Sequence, residues 1–228
     1  MKVLGIIPAR GASKGVPGKN MEVIEGKPLI GYTIEVALKS EVCDCLVVSS
    51  DAETILNYAA TYPLLIHKRA VQLATDHSPV LDTVFEVLSF AEFSTNESYD
   101  VVMLLQPTAP LREAWHLQES IALIAAHPSA ASVISVSQTG DIHPARLYHI
   151  AEGYLNSLQP ESEQLHRQAL EPVYLRNGSI YITRCEELRQ QKRIMAKPSL
   201  AYNMDDKYLL NIDTPRDMLL AKILLKQS

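Results

Sequence analysis

A short stretch near the start of the chain combines glycines and cations in a way that suits an anion. Residues 10–19 read Arg-Gly-Ala-Ser-Lys-Gly-Val-Pro-Gly-Lys, with no acidic residue before Glu22. Glycines let backbone N–H groups approach an anion, and Arg and Lys neutralise phosphate oxygens. The stretch directly follows an apolar run, residues 3–9, that predicts a buried strand. We therefore expect a phosphate-binding loop; the alternative is a solvated loop that is basic by chance.

The spacing within this loop excludes the two common phosphate motifs. A Walker motif requires G-x-x-x-x-G-K-[ST], whereas here Gly18-Lys19 is followed by Asn20 and Ser13 occupies the place of the first glycine. The loop glycines also lack the G-x-G-x-x-G spacing of a dinucleotide fingerprint. The remaining pattern resembles the loop of sugar nucleotidyltransferases, which wraps the triphosphate of a nucleotide.

Apolar runs alternate with segments of helical period along most of the chain. Strands are predicted at residues 3–9, 45–49, 64–67, 101–105, 131–136 and 173–183. Helices are predicted at residues 30–38, 81–88 and 117–125, and a last helix begins at Thr214-Pro215. This order predicts an α/β fold with a mostly parallel sheet and helices on both faces. Ligands of such folds lie beyond the carboxyl ends of the strands, here the loops after Ala9, Ser50, His67 and Leu105.

The pattern breaks between residues 138 and 172. This stretch is polar, contains His143-Pro144 and Gly153, and shows no clean helical period. Two interpretations stay open, a disordered surface loop and a small projecting subdomain.

The composition limits the class of protein. The chain has 228 residues, enough for one sizeable domain, and its net charge of −5 argues against a general nucleic-acid or membrane-surface binder. Three cysteines cannot form a disulfide framework. The first apolar run reaches Pro8 and Arg10 too early for a signal peptide, and no apolar run approaches a membrane span. We expect a reduced, cytoplasmic, single-domain protein.

Residues 7–20, which contain the loop, closely resemble the signature of the acylneuraminate cytidylyltransferases, the CMP-sialic acid synthetases. Further matches follow in the same order through nearly the whole chain. They are Val48-Ser49-Ser50-Asp51, Lys68-Arg69 with Leu73-Ala74-Thr75-Asp76, Leu105-Gln106-Pro107-Thr108-Ala109-Pro110-Leu111-Arg112, Arg167-Gln168, Asn177-Gly178-Ser179-Ile180-Tyr181-Ile182 and Ile212-Asp213-Thr214-Pro215. One such match would be weak, whereas six in order are strong.

The resemblance implies a Rossmann-like nucleotidyltransferase fold formed by residues 1–228 as one cytidylyltransferase domain. It implies that CTP and a nine-carbon 2-keto sugar acid give a CMP-sugar and pyrophosphate. It also implies dependence on Mg²⁺, with Mn²⁺ as an alternative, and a homodimer in which residues 138–172 form an arm that reaches into the partner.

The resemblance also implies roles for individual residues. Arg10 and Lys19 would stabilise charge on the leaving pyrophosphate, and Arg167 would bind the carboxylate of the sugar acid. The implied nucleotide-binding residues are Arg10, Gly11, Ser13, Lys19, Asn20, Arg69 and Ser78, and the implied acceptor-binding residues are Gln106, Arg167 and Asn177. Three alternatives stay open: Ser78 could cap a helix, Asn177 could belong to a tight turn, and Arg112 could pair with a carboxylate for structural reasons.

Asp213 is the principal candidate for a metal ligand. Thr214, followed by Pro215 and Asp217, forms a plausible capping box, so the last helix does not need Asp213 as its cap. Many members of the family carry Asp-x-Asp here, but this chain has Asn211-Ile212-Asp213. The amide oxygen of Asn211 can still bind the ion, directly or through water, but without charge, which leaves the number and affinity of metal ions open.

Two other functions remain as alternatives. A CMP-Kdo synthetase is a close relative, but its first loop and its Gln-Gly-Asp-Glu-Pro segment differ from Ser13-Lys14 and Gln106-Pro107-Thr108 of this chain. A nucleotide-binding paralogue without catalysis is the second alternative, and Asn211 is the feature that favours it.

Overall fold

The computed structural model describes residues 1–13, 15–70, 78–139 and 142–226. The strands are β1 (Val3–Pro8), β2 (Val23–Ile24), β3 (Lys27–Pro28), β4 (Cys45–Ser50), β5 (Leu65–Lys68), β6 (Val101–Leu104), β7 (Ser132–Thr139), β8 (Tyr148–Ala151), β9 (Tyr154–Ser157), β10 (Val173–Arg184) and β11 (Ser199–Asn203). The helices are α1 (Leu29–Ser40), α2 (Glu53–Ala59), α3 (Val80–Thr95), α4 (Ala114–Ala126), α5 (Cys185–Gln191) and α6 (Pro215–Leu225).

A seven-stranded sheet in the order β11-β7-β10-β6-β1-β4-β5 forms the centre of the fold. β1 pairs in parallel with β4 and β6, β4 with β5, and β7 with β11. β10 pairs antiparallel with both β6 and β7. The carboxyl ends of the parallel strands and the amino end of β10 therefore meet at one edge of the sheet.

Helices cover both faces of this sheet because its strands are apolar on both sides. One core contains Ile30, Ile34 and Leu117, from α1 and α4, packed against β1 and β4. The opposite core contains Val84 and Leu88, from α3, packed against the other face of the same strands. α6 packs separately, in a small cluster with Ile24 and Leu29.

The α/β class, the mostly parallel sheet and the two helical layers predicted from the sequence are confirmed. The reversed direction of β10 was not predicted, because an apolar run does not reveal the direction of a strand. α2, α5 and β11 were also missed, since each is only five to seven residues long. Among the helices of the described residues, none has both the length and the apolar character that crossing a membrane requires.

The stretch from 138 to 172 contains regular structure in its described residues. β8 and β9 form a separate two-stranded antiparallel sheet in which Tyr148 pairs with Ser157. Ile150, Tyr154 and Leu155 of this hairpin are all more than 60% exposed. The described part of the stretch is thus not structureless, and its interpretation as a projecting subdomain that forms a dimer arm stays a prediction.

Candidate functional site

A cavity of about 360 Å³ opens at the carboxyl edge of the sheet, and we call it the polar cavity. Side chains from six separate segments line it. Those predicted from the sequence are Arg10, Lys19, Asn20, Arg69, Ser78, Gln106, Asn211 and Asp213, and they are joined by Pro8, Val80, Thr83, Pro107 and Thr108. The fold thus brings together residues that lie up to two hundred positions apart.

The first loop is held in place at both ends. The backbone N–H of Gly11 donates to Asp51 Oδ1 over 2.9 Å, and Asn20 Nδ2 donates to the carbonyl oxygen of Arg10 over 2.9 Å. A Cβ atom at Gly15 would lie only 1.9 Å from the carbonyl oxygen of Asp213, so only glycine fits there. Ser13 belongs to this loop, and Lys14 lies outside the described residues.

Arg69 leaves the end of β5 and is 7% exposed. Its Nη2 donates to the carbonyl oxygen of Ser49 over 2.9 Å, and its Nε donates to Ser49 Oγ over 3.3 Å. Burial lowers the pKa of Arg69, Asp51 and Glu86 oppose that change, and the nearby cation Arg10 lowers the pKa further. Arg10 and Arg69 thus both line the polar cavity with positive charge, an arrangement that an anion would stabilise.

Ser49, which Arg69 contacts, also lies next to His67 and forms with it and Glu86 a second set of polar side chains that the sequence analysis did not predict. His67 Nδ1 lies 3.0 Å from Ser49 Oγ, and His67 Nε2 lies 3.9 Å from Glu86 Oε1. Burial lowers the pKa of His67. Both His67 and Ser49 lie in strands that the sequence predicts. A polar side chain inside an apolar strand is the feature by which these two residues could have been recognised.

Asp213 lies opposite the first loop at the wall of the polar cavity. Its Oδ1 is 3.1 Å from Lys19 Nζ, and its Oδ2 accepts a hydrogen bond of 2.5 Å from Asn211 Nδ2. Lys19 also donates to the carbonyl oxygen of Ile212 over 2.6 Å. The N–H of Ile212 in turn donates to the carbonyl oxygen of Thr108, which fixes this segment beside the turn after β6.

The predicted capping box at α6 is present. Thr214 Oγ1 accepts from the N–H of Asp217, and the Asp217 carboxylate accepts from the N–H of Thr214. Because Thr214 caps the helix, the Asp213 carboxylate does not serve as the cap, and its side chain is 64% exposed. α3, in contrast, begins after Pro79 with no side-chain cap, so the alternative role of Ser78 as a helix cap is wrong.

These groups suit a divalent cation that arrives with a nucleotide. The described residues contain no cluster of three or more His, Cys, Asp and Glu side chains that could hold a metal alone. Mg²⁺ commonly binds through one or two carboxylates, with the remaining ligands from substrate phosphates and water. Asp213 supplies one such carboxylate, whereas Asn211 presents its Nδ2 to Asp213 and thereby orients that carboxylate.

Gln106 and Arg112 occupy the turn that follows β6. The side chain of Gln106 lines the polar cavity. Arg112 is 2% exposed and donates to the carbonyl oxygens of Gln106 and Ser179 and to Thr33 Oγ1. Burial lowers the pKa of Arg112 to about 9. Arg112 is structural, as the alternative interpretation held, but its hydrogen-bond partners are neutral oxygens and not the expected carboxylate.

Asn177 lies inside the protein, 2% exposed. Its Oδ1 accepts from Ser135 Oγ over 2.6 Å and from the N–H of Ser179 over 3.1 Å, and its Nδ2 donates to Ser137 Oγ over 3.1 Å. These bonds span the irregular point where the pairing of β10 with β7 shifts register. The predicted contact of Asn177 with an acceptor stays a prediction. In the structure its side chain links β10 to β7.

Arg167 is not brought to the polar cavity within one chain. It lies in a short 3₁₀ helix, Arg167–Ala169, and lines a separate cavity of about 350 Å³ with Gln138, Asn203, Met204, Asp205 and Asp206. The Leu73-Ala74-Thr75-Asp76 match lies outside the described residues.

A larger cavity of about 900 Å³ adjoins the polar cavity, and sequence reasoning did not anticipate it. Gln106 and Val80 line both cavities. We call it the apolar cavity, because Leu81, Leu104, Ile134, Val136, Ile194, Met195, Leu200 and Ala201 supply most of its surface. Strand residues of this kind resemble ordinary core in a sequence, so no signal distinguished them.

Comparison with known proteins agrees with this geometry. Residues 4–216 match the model of a protein family described as cytidylyltransferase. The chain belongs to the cytidylyltransferase family. It is 32% identical over 222 residues to an N-acylneuraminate cytidylyltransferase of Streptococcus agalactiae, covering 96% of this chain and 52% of that protein. The chain therefore spans about half the length of such curated relatives.

Two relatives of this cytidylyltransferase match over nearly their full length. A CMP-N,N'-diacetyllegionaminic acid synthase of Legionella pneumophila is 35% identical, covering 99% of this chain and 97% of that protein. A pseudaminic acid cytidylyltransferase of Campylobacter jejuni is 32% identical, with coverages of 99% and 97%. Among solved structures, a CMP-2-keto-3-deoxy-manno-octonic acid synthetase complexed with CTP superposes with a TM-score of 0.72 at 16% identity, covering 100% of this chain and 99% of that one. That likeness confirms the nucleotidyltransferase fold.

Proposed function

We propose that this cytidylyltransferase joins CTP to a nonulosonic acid, releasing pyrophosphate and forming the CMP-sugar. The convergence of eight predicted residues from six segments on one cavity supports the proposal. The names of the relatives support the nine-carbon acceptors, because sialic, legionaminic and pseudaminic acids are all nonulosonic acids.

The proposed reaction is a displacement at the α-phosphorus of CTP. The anomeric oxygen of the acid forms the new bond to the α-phosphorus and releases its proton to solvent. The bond between the α-phosphorus and the oxygen that bridges to the β-phosphate breaks, and pyrophosphate leaves. Arg10, Lys19 and Arg69 lie where they would bind the phosphates, and cations at that position stabilise charge on the leaving group. Gln106, which lines the same cavity, would position the acceptor near the phosphorus.

Asp213 would hold Mg²⁺, or Mn²⁺, together with the phosphates, and Asn211 would orient its carboxylate. When bound, the ion supplies positive charge at the phosphate oxygens. Lys19 now contacts Asp213 over 3.1 Å, so its ammonium group would turn towards the phosphates once nucleotide and ion are present.

We also propose that the protein acts as a cytoplasmic homodimer. The three cysteines, Cys43, Cys45 and Cys185, are free thiols, as a reducing compartment favours. The exposed apolar side chains of the β8–β9 hairpin are of the kind that mark protein interfaces. A second copy would also give Arg167 a way to reach a polar cavity that it does not line within its own chain.

Pyrophosphate release from CTP and Mg²⁺ tests the proposed reaction. The acceptor panel contains several nonulosonic acids and Kdo, and ATP, GTP and UTP replace CTP in parallel reactions. We expect release with CTP and at least one nonulosonic acid. Release with Kdo alone would instead favour a CMP-Kdo synthetase. Binding of CTP without release from any acid would favour the paralogue without catalysis.

The molar mass in solution tests the dimer. We expect light scattering to give twice the mass of one chain, and the double substitution Ile150→Asp with Leu155→Asp to give a single chain. Phe93→Asp is the matched control, because Phe93 is 90% exposed on α3, away from the hairpin. A monomeric wild-type protein, or a dimer unaffected by the hairpin substitutions, would contradict the proposal.

A further inference from the structure

The direction of Arg69 in the polar cavity depends on Ser49. Nε and Nη2 of Arg69 bind the hydroxyl and the carbonyl oxygen of Ser49, so the Nε–Nη2 edge of the guanidinium is occupied. The Nη1–Nη2 edge is therefore the one that can meet an anion in the cavity. The inference below rests on the proposed function, in which that anion is the triphosphate of CTP.

Ser49 in turn lies beside His67 in the sheet. The two residues are partners in the parallel pairing of β4 with β5, so their side chains lie on the same face. Ser49 is 0% and His67 is 6% exposed, and Ser49 Oγ lies 3.0 Å from His67 Nδ1. Because a guanidinium only donates, Ser49 Oγ accepts from Arg69 and its own proton is available to His67. Nδ1 of His67 is then an acceptor and carries no proton.

Helix α3 faces the other nitrogen of the imidazole. Glu86 and Phe90 are one turn apart on this helix, and both face His67. Glu86 Oε1 lies 3.9 Å from His67 Nε2, and the Phe90 ring lies 4.9 Å from the imidazole, measured between centroids. A carboxylate beside Nε2 favours the imidazole proton on that nitrogen. This is the same tautomer that the hydroxyl of Ser49 requires.

The surroundings of His67 favour the neutral imidazole. Burial lowers the pKa of His67, the charge of Glu86 opposes that change, and the charge of Arg69 lowers the pKa further. Glu86 Oε2 is shielded from solvent and has no hydrogen-bond partner among the described residues. A shielded oxygen without a hydrogen bond costs free energy. The attraction between Glu86 and Arg69 helps to offset that cost.

We propose that Arg69 is held by a positioning relay of three side chains, Glu86, His67 and Ser49. Glu86 keeps the imidazole proton of His67 on Nε2, so that Nδ1 accepts from the hydroxyl group of Ser49. Ser49 Oγ is thereby fixed as an acceptor for Arg69, whose Nη1–Nη2 edge is held towards the phosphates. The three side chains act through Arg69 and are not catalytic residues themselves.

Nitrogen-15 NMR of the wild-type protein tests the tautomer. We expect the proton of His67 on Nε2 at neutral pH, both with and without CTP. Glu86→Gln should give a mixture of the two tautomers, because an amide can face either a donor or an acceptor. Glu92→Gln, on the same helix, is the matched control, since Glu92 pairs with Arg189 and should leave His67 unchanged. A wild-type proton on Nδ1 would overturn the relay.

His67→Asn and His67→Leu form a matched pair, because Asn and Leu have nearly the same shape and only Asn keeps a polar partner for Ser49. Calorimetry with CTP and Mg²⁺, without acid, measures binding in the absence of turnover. We expect the Asn variant to bind CTP about fivefold more tightly than the Leu variant, as one hydrogen bond is commonly worth that factor. The KM for CTP should differ likewise, with the KM for the acid unchanged.

Ser49→Ala removes the hydroxyl group and leaves the backbone carbonyl that Arg69 also binds. We expect the same loss of CTP affinity as in His67→Leu. NMR should also show faster exchange of Arg69 Nε–H with water in both variants. Ser132→Ala is the control, because Ser132 is equally buried but donates to the carbonyl oxygen of Ala196. It should change neither the CTP affinity nor the exchange rate.

Equal CTP affinity in His67→Asn and His67→Leu, with equal exchange of Arg69 Nε–H, would overturn the relay and show that His67 only packs. If neither variant folds, the tautomer in the wild-type protein decides. The proposed function fails separately. If the wild type releases no pyrophosphate while the exchange of Arg69 Nε–H still distinguishes the two variants, the relay stands and the proposed reaction does not.

Discussion

The polar and the apolar cavities are neighbours, yet the chain builds them in different ways. The polar cavity is lined by loops that follow parallel strands, and its Arg, Lys and Asp side chains are conspicuous in an acidic sequence. The floor of the apolar cavity consists of strand residues such as Leu104 and Ile134, which also belong to the core. Charged cavities can therefore be located in a sequence, whereas an apolar cavity becomes visible only once the strands are placed.

Asp213→Asn should have the largest effect and should act on the polar cavity alone. Loss of the carboxylate removes an electrostatic group from the reacting phosphates, and such losses cost about 10²- to 10³-fold in turnover. Pyrophosphate release measures it, while the affinity for the acid should not change. Asp206→Asn, the same change a few residues earlier, is the control. Full Mg²⁺-dependent turnover in Asp213→Asn would remove Asp213 from the site.

Arg112→Met should lower the stability of the protein, because it removes the buried hydrogen bonds that join the turn after β6 to α1 and β10. Two carbonyl oxygens and the Thr33 hydroxyl lose a buried donor, so we expect the free energy of unfolding in urea to fall by about 3 kcal/mol. Arg189→Met is the control, because Arg189 is half-exposed and its pair with Glu92 is worth about 0.5 kcal/mol. A fall in the free energy of unfolding as small as that of the control would show that the hydrogen bonds of Arg112 do not stabilise the fold.

Arg69→Lys should weaken the binding of CTP more than the binding of the acid. Lysine cannot hold both atoms of Ser49 while presenting a planar fork, so the affinity for CTP should fall about tenfold with little change for the acid. Calorimetry with each ligand measures both. The control is Lys68→Arg, one residue earlier, where the side chain is 70% exposed. If acid binding weakened as much as CTP binding, the two cavities would not be separable.

Gly178→Ala should have the smallest effect, at the boundary between the cavities. Gly178 has a φ of 77°, and an added Cβ would lie 3.0 Å from Gln106 Oε1. We expect a loss of about 1 kcal/mol in stability and a few-fold loss of acid affinity. Gly153→Ala is a close control, since φ there is 84° and, apart from its chain neighbours, no atom of the described residues lies within 4 Å of the added Cβ. Gly153→Ala should lower the stability without changing the affinity for the acid. Equal affinity for the acid in Gly153→Ala and Gly178→Ala would contradict our placement of Gln106.

The fold could be predicted where hydrophobic period is long and uninterrupted. α1, α3 and α4 each run for three turns or more, and their apolar stripes were evident. The direction of β10 was not predictable, because it depends on which neighbours a strand joins. Short elements such as α5 contain too few residues for a period to emerge.

The candidate site could be predicted where chemistry is concentrated within a few residues. Arg10 and Lys19 stand out for that reason, and Thr214 and Asp217 form the expected cap. The position of Arg167 and the complete burial of Asn177 were beyond sequence reasoning, since both follow from how a chain segment folds back. Arg112 shows the same limit, because two of its three neutral partners, Thr33 and Ser179, come from distant segments.

The antiparallel pairing of β7 with β10 has a consequence for how this protein can vary. Thr139 pairs with Val173, so the residues between them leave and re-enter the sheet at a single point. Closing a loop whose ends already touch costs little more as the loop lengthens. The intervening segment can thus be exchanged as a cassette. A new surface could be grafted there while the sheet keeps its register and Arg167 is retained, which offers a practical route to chimaeric proteins with altered assembly.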